Sequence, residues 1–371
     1  MQNMNQNTED DHIEVEDEYD IALEADVEDE TLLENPSDVT FSITSYGADY
    51  TVDSIIARLK SEAFYVPPFQ RRFVWSQRHA SRFIESLLLG LPVPGIFLYK
   101  ESQTKRHLVV DGQQRLRTLQ YFFSGLFLER KFKLIGVRSE WEGKAYSDLS
   151  SAEQLKLDDS IVHATIFQQD EPKDSLKSLY FVFERINSGG IRLSPQEIRN
   201  CINDGELLAA VRKMNEDPNW RAIFGERRNN RLKDQELILR FLAMVSRPEK
   251  YSRPMRDFLN DFTAQAGTDK VELYRLQKLF AESVKVCAEA KGKDAFRPSR
   301  ALNAAVFEAV MVGIASRLAE NKSAPDITKV VAAYDSLLAD KSFMRVCERA
   351  TADEESVRTR QDLATKAFKS V

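Results

Sequence analysis

Beyond about residue 200 the apolar side chains of this chain recur only at helical spacing, whereas before it short apolar runs that read as strands alternate with segments of period 3.6. That change limits the fold more than any other feature, because it separates a part that can build a sheet from one that cannot. The later helices are predicted over Glu206 to Met214, Leu232 to Val245, Met255 to Phe262, Val271 to Ala290, Ala301 to Leu318 and Ile327 to Leu338. In the earlier part the helical pattern starts at Thr51, with Val52, Ile55, Ile56 and Leu59 on one face, and order is expected to begin near there. Phe64 to Phe69 is extended, since Pro67 and Pro68 each disfavour the α region for the residue before them. A helix from about Ser76 to Leu89 is stopped by Gly90 and Pro92. Ile96 to Tyr99, His107 to Val110 and Ser160 to Phe167 read as strands. Asp174 opens a helix carrying Leu176, Leu179, Tyr180 and Phe183 that ends at Asn187-Ser188-Gly189-Gly190. Ser194-Pro195-Gln196-Glu197 starts another with a capping box. The chain thus reads as an α+β domain over residues 41–200 followed by an all-helical domain over 201–371.

Charge divides the chain differently. Residues 1–57 hold 17 carboxylates and no Lys or Arg, so the formal net charge of -6 conceals 52 basic against 41 acidic side chains from Arg58 onward, a net of +11. A net-positive body suits a polyanionic partner through counterion release, and a solvated surface with a solubilising tail accounts for the same numbers. Residues 1–40 are expected to be a disordered acidic tail, which either occupies the basic body as an electrostatic mimic of nucleic acid or is simply solvated. Cys201, Cys287 and Cys347 are too widely spaced for a thiolate zinc site and read as thiols of a reducing cytosol. Without an 18-residue apolar run or a leader pattern, a cytoplasmic location and no membrane partner are expected.

The sharpest local signal is Val109-Val110-Asp111-Gly112-Gln113-Gln114-Arg115-Leu116-Arg117-Thr118. A strand feeding a glycine turn and then a helix presents unpaired backbone N–H groups and the positive end of the helix dipole, which together favour a phosphate. Arg115 adds a fork of donors, Gln113 and Gln114 add neutral donors, and Asp111 can hold a divalent cation or orient a water. An Asp-Gly turn in which Arg115 pairs with a structural carboxylate fits the same spacing. Gln70-Arg71-Arg72-Phe73-Val74-Trp75 sets two arginines among aromatics, which suits nucleotide or nucleic-acid contact, although Phe69, Phe73 and Trp75 are better read as core. In Phe183 to Gly190, two glycines permit close approach to a ligand and Asn187 tolerates a left-handed conformation. Glu197 is explained as the capping-box acceptor; Arg199 has no such explanation. Arg221, Arg227, Arg228, Arg231 and Lys233 read equally as a basic surface for DNA backbone contact and as a solvated helix start.

In this order, Gln70 to Trp75, Asp111 to Arg115 with Thr118, and Ile186 to Gly190 with Leu193 and Glu197 resemble the N-terminal domain family of GmrSD-type modification-dependent restriction systems, marked by its DGQQR motif. Arg231, Asp234, Glu236 and Arg240 resemble that family's second-domain pattern, so the likeness covers about residues 46–345. The resemblance implies a small ParB/sulfiredoxin-like mixed sheet with helices ahead of the helical domain. It also implies binding and hydrolysis of a nucleoside triphosphate with Mg2+, coupled to recognition or cleavage of foreign DNA. Carried over by position, Asp111, Gln114 and Arg115 take the catalytic roles, with Asp111 on the metal, while Gly112, Gln113, Arg71 and Asn187 contact the nucleotide. Gly225-Glu226-Arg227-Arg228 looks like the phosphate motif of ParB proteins, yet no strand is predicted to feed it. Many members of the family carry an HNH nuclease, whose chemistry needs a histidine beside a metal. The histidines here are His12, His79, His107 and His163, so no HNH nuclease is expected in this sequence and the nuclease would come from a separate chain. A homo-oligomer is compatible with all of this. Two classes of function stay open: an NTPase subunit of an anti-phage or restriction system, and a non-catalytic, nucleotide-gated DNA clamp or adaptor.

Overall fold

A computed structural model of the chain describes residues 42–371 apart from 67–72, 103, 172–178, 181, 183–193, 203–204, 228, 230, 266–268 and 322. The acidic tail, Arg71 and Arg72, the start of the helix expected at Asp174, the Asn187 turn and Arg228 therefore lie outside the described residues. Five strands form one mixed sheet in the order β1 (Ser42–Thr51), β7 (Ile161–Glu171), β3 (Ile96–Lys100), β4 (His107–Asp111) and β2 (Phe64–Tyr65). β1 runs antiparallel to β7 and β3 antiparallel to β4, while the β7–β3 and β4–β2 pairs are parallel. A short hairpin, β5 (Leu126–Phe127) and β6 (Arg130–Lys131), stands apart from the sheet.

Side chains alternate along each strand, so the sheet has two buried faces. Leu98, Val109, Val162, Ala164 and Ile166 pack beneath the helices Val52–Lys60, Gln77–Leu89 and Gln113–Ser124. Tyr99, Leu108, Val110 and Phe167 point the other way, where Leu179 and Ile198 close over them. The local start and stop signals act as the sequence indicates. The Ser76 hydroxyl accepts the His79 N–H at 3.3 Å, and Gly90 ends that helix at φ 74°. The capping box is complete: Ser194 N–H donates to Glu197 Oε2 at 2.6 Å and Glu197 N–H to Ser194 Oγ at 3.2 Å.

One boundary needs correction. A strand precedes Thr51: β1 starts at Ser42. Its sequence is polar and most of it is exposed, so no apolar pattern marks it. It forms because β7 offers a partner along its whole length, from Ser42 opposite Glu171 to Thr51 opposite Ile161.

Past Glu171 the described residues contain no strand. The observed helices Glu206–Met214, Lys233–Ser246, Met255–Gln265, Lys270–Lys291, Ala304–Glu320 and Ile327–Ala339 follow the predicted spans closely. Pro218–Phe224, Lys341–Glu348 and Glu354–Phe368 are further helices that the apolar pattern did not single out. Ala304–Glu320 is the centre of this half. Its one interior carboxylate, Glu308, is fully buried because Arg360 Nη2 reaches it at 2.9 Å. Among the described residues no helix is long and apolar enough to cross a membrane.

Candidate functional site

Asp111 closes β4, opposite Phe97 of β3, and Gly112 turns the chain directly into the helix Gln113–Ser124. Gly112 sits at φ 96°, a left-handed conformation costly for any residue with a Cβ. A methyl group there would also clash with Ile96 Cγ2 and approach Ile96 Cβ to 3.0 Å. The glycine is thus required by the turn and by packing. The helix has no side-chain N-cap hydrogen bond and no carboxylate in its first turn, so its positive dipole end carries no acidic side chain of its own.

Arg115 leans back over this turn. Its Nη2 donates to Asp111 Oδ2 at 2.8 Å and to the Gly95 carbonyl at 2.9 Å, which locks the start of the helix to the entry of β3. Its Nε is buried and has no hydrogen-bond partner, so part of the guanidinium fork is committed and part is not. Asp111 is about two-fifths exposed, against 15% for Arg115, and therefore forms the solvent-facing side of the pair. Arg115 thus holds a carboxylate, and that carboxylate belongs to the motif itself.

Gln114 joins two sequence clusters. Its Oε1 accepts the backbone N–H of Val74 at 3.0 Å and of Trp75 at 3.3 Å, so the aromatic segment is moored to the first turn of the helix. Phe73 packs edge-on against Tyr121 and Phe127, with centroids 5.1 and 5.4 Å away, and Trp75 against Phe83 at 5.8 Å. These aromatics are packing residues, as the sequence suggests. Gln114 places a neighbouring segment as well as lying in the motif, a role its spacing did not reveal. His107 lies at the far end of β4 from Asp111, and burial lowers its pKa. His163 is exposed on β7 and bonds Asp49 at 2.8 Å.

The arginines downstream divide. Arg199 is fully buried: Nε donates to Asn260 Oδ1 at 2.8 Å, and Nη1 to Gln196 Oε1 at 2.8 Å and Glu236 Oε2 at 3.2 Å. Glu236 also holds Arg240 at 2.9 Å. Arg221, read from sequence as surface, instead pairs with the fully buried Asp234 at 3.2 Å and donates to Asn215 Oδ1 at 2.8 Å. Trp220 Nε1 shares the Asn215 acceptor at 2.9 Å, which explains why an Asp-Pro-Asn-Trp stretch precedes a charged run. Arg231 approaches Glu197 at 3.6 Å. Arg227 is exposed and Lys233 half-buried. The helix Pro218–Phe224, not a strand, feeds Gly225-Glu226-Arg227, so that string lacks the setting of a phosphate turn.

The structure thus brings Asp111, Gly112, Gln113, Gln114 and Arg115 together. Gly95, which no motif marked, joins them because its carbonyl faces Arg115. Among the described residues no three His, Cys, Asp or Glu side chains gather as a metal site. A Mg2+ ion held by one carboxylate and by phosphate oxygens needs no such cluster, and the partly exposed carboxylate of Asp111 is a ligand type that suits that mode.

Residues 52–203 match the family described as GmrSD restriction endonuclease, N-terminal domain. No curated protein matches the sequence. The match takes in the whole sheet except β1, the Asp111–Arg115 turn and the helix Pro195–Ile202, and it ends before the buried Arg221–Asp234 pair.

Proposed function

We propose that this chain, whose residues 52–203 match a GmrSD N-terminal domain, is a nucleoside-triphosphate-binding and hydrolysing subunit of a DNA-targeting restriction or defence system, with the nuclease supplied by another chain. The observation that carries the reading is the Asp111–Arg115 pair set at a glycine turn into a helix whose first turn carries no carboxylate. Phosphate oxygens would be met by the N–H groups of the first turn and by the donors of Arg115 that Gly95 does not hold. Asp111 would then exchange part of its pairing with Arg115 for a water or for the cation that accompanies a triphosphate. Mg2+, when bound there, supplies charge neutralisation on the phosphate oxygens. Gln114 keeps the Val74–Trp75 segment against the turn. Gly112 lets the backbone pass close enough for its neighbours' N–H groups to converge.

A second reading, a nucleotide-gated clamp or adaptor that binds without turnover, is compatible with the same turn, since among the described residues no three His, Cys, Asp or Glu side chains gather there. Phosphate release under single- and multiple-turnover conditions separates the two. Sustained release supports the enzyme, a single burst supports the gate, and absence of both release and binding would remove the nucleotide site altogether.

A related expectation concerns DNA. All four histidines fall at or before His163, so the purified chain with Mg2+ is expected to leave duplex DNA uncut. Nicking that a point mutation in this chain abolishes would contradict the assignment of the nuclease to a separate partner.

A further inference from the structure

The helix Gln77–Leu89 starts just past the segment that Gln114 holds, and its solvent face is cationic. Ser81, Phe83, Ile84, Leu87 and Leu88 are buried, whereas Arg78 and Arg82, one turn apart, are exposed. A strap of chain runs beside this helix and is tied to it at successive points. Gln77 Nε2 donates to the Lys133 carbonyl at 2.6 Å, Ile135 N–H to Ser81 Oγ at 3.0 Å, and Arg138 N–H to Glu85 Oε1 at 2.7 Å. Arg78 lies over Gly136, where an added Cβ would stand 3.0 Å from its Nε. These ties bring Arg78, Arg82, Lys133 and Arg138 to one rim, with Arg130 and Lys131 of β6 at its end.

The rim has an excess of cations. Residues 77–89 and 130–138 contain six Arg or Lys side chains and a single carboxylate, Glu85, which is occupied by the Arg138 N–H. All six cations are exposed. Among the described residues only Arg138 of the six forms an ion pair, with Glu140 at 4.0 Å. Nearby Glu142, itself exposed, is engaged by the N–H groups of Gly136 and Val137 at 3.2 and 3.1 Å. Cations held side by side on an ordered rim repel one another and add nothing to folding, yet they are arranged to face a polyanion. The run at 227–233 offers less: Arg231 is engaged by Glu197, which leaves Arg227 and Lys233 among its described cations.

We infer that the rim formed by the helix Gln77–Leu89 and the strap 130–138 is the principal phosphate-backbone contact surface for duplex DNA. The inference rests on the reading of this chain as part of a DNA-targeting system. Contacts of this kind position the duplex without reading its sequence. The rim also adjoins the Val74–Trp75 segment moored by Gln114, so DNA and nucleotide would meet neighbouring parts of the same domain.

The test uses the full chain and a random-sequence duplex across a salt series. Each lost phosphate contact lowers the slope of log affinity against log salt by about 0.9. An R78A/R82A/K133A variant is therefore expected to lose roughly 2.5 to 3 from that slope and at least tenfold in affinity at low salt, with melting temperature and nucleotide binding unchanged. An R227A/K233A variant is expected to change both far less. If the rim variant binds as wild type while R227A/K233A loses binding, the rim assignment fails and the DNA-targeting reading stands. If wild-type protein binds no duplex DNA at low salt, or binds single-stranded RNA or anionic vesicles in a way that duplex DNA does not compete, both fail together.

Discussion

Asp111→Ala is expected to slow nucleotide hydrolysis by about 10²- to 10⁴-fold, the usual contribution of one positioned acid–base or water-orienting group, while leaving nucleotide affinity within about threefold of wild type. The asymmetry follows from the pair. In the ground state Asp111 competes with phosphate for Arg115 Nη2, which it holds at 2.8 Å, so its removal frees a donor and binding need not suffer. In the transition state the carboxylate is the group that can orient water or cation, and there its loss is felt most. Phosphate release and equilibrium binding measured on the same preparation decide the matter. Hydrolysis lowered only in proportion to affinity would mean that Asp111 merely anchors the turn.

Arg199→Ala is expected to reduce folding stability by about 3–5 kcal/mol, the usual consequence of removing one partner from a buried ionic network. Arg199 is fully enclosed, and its loss leaves Glu236, Asn260 and Gln196 without a shared donor. Burial pushes the Arg199 guanidinium below its ordinary pKa, opposed by the Glu236 charge. Burial alone would raise Glu236, but the charges of Arg240 and Arg199 outweigh it and hold that carboxyl below its usual value. A lowered carboxyl stabilises the fold above the unfolded pKa of about 4.3, and that contribution is lost as pH falls through the lower folded value. The variant's acid unfolding should accordingly begin at a higher pH than the wild type's. Urea denaturation near neutral pH gives the main number, and a loss under about 1 kcal/mol would show that the network contributes little to folding.

Much of this arrangement is legible in the sequence because it is written in local signals. Asp111-Gly112 at the end of an apolar run, Ser76 and Gly90 around a helical pattern, and Ser194 with Glu197 each act within one turn of chain, and each occurs as read. Partners distant in sequence were not legible. β1 carries no apolar alternation and exists through pairing with β7, more than 100 residues later. Arg221 and Arg199 look like surface or functional arginines until Asp234, Glu236 and Asn260 fold around them. The roles of Gln114 and Gly95 likewise depend on a segment 40 residues away and on a carbonyl 20 residues away. A motif scan finds the turn but not what secures it.

The central claim is that Asp111 to Arg115 form a phosphate site rather than only a structural turn. Calorimetric titration of a nucleoside triphosphate with Mg2+ into wild type and Arg115→Ala, with melting temperature recorded alongside, tests it directly. A charge-assisted hydrogen bond contributes about 1.5–3 kcal/mol, so the variant should lose roughly tenfold or more in affinity while remaining folded. A folded Arg115→Ala protein that binds nucleotide as wild type does would contradict the claim and leave Arg115 as the clasp between Asp111 and Gly95 alone.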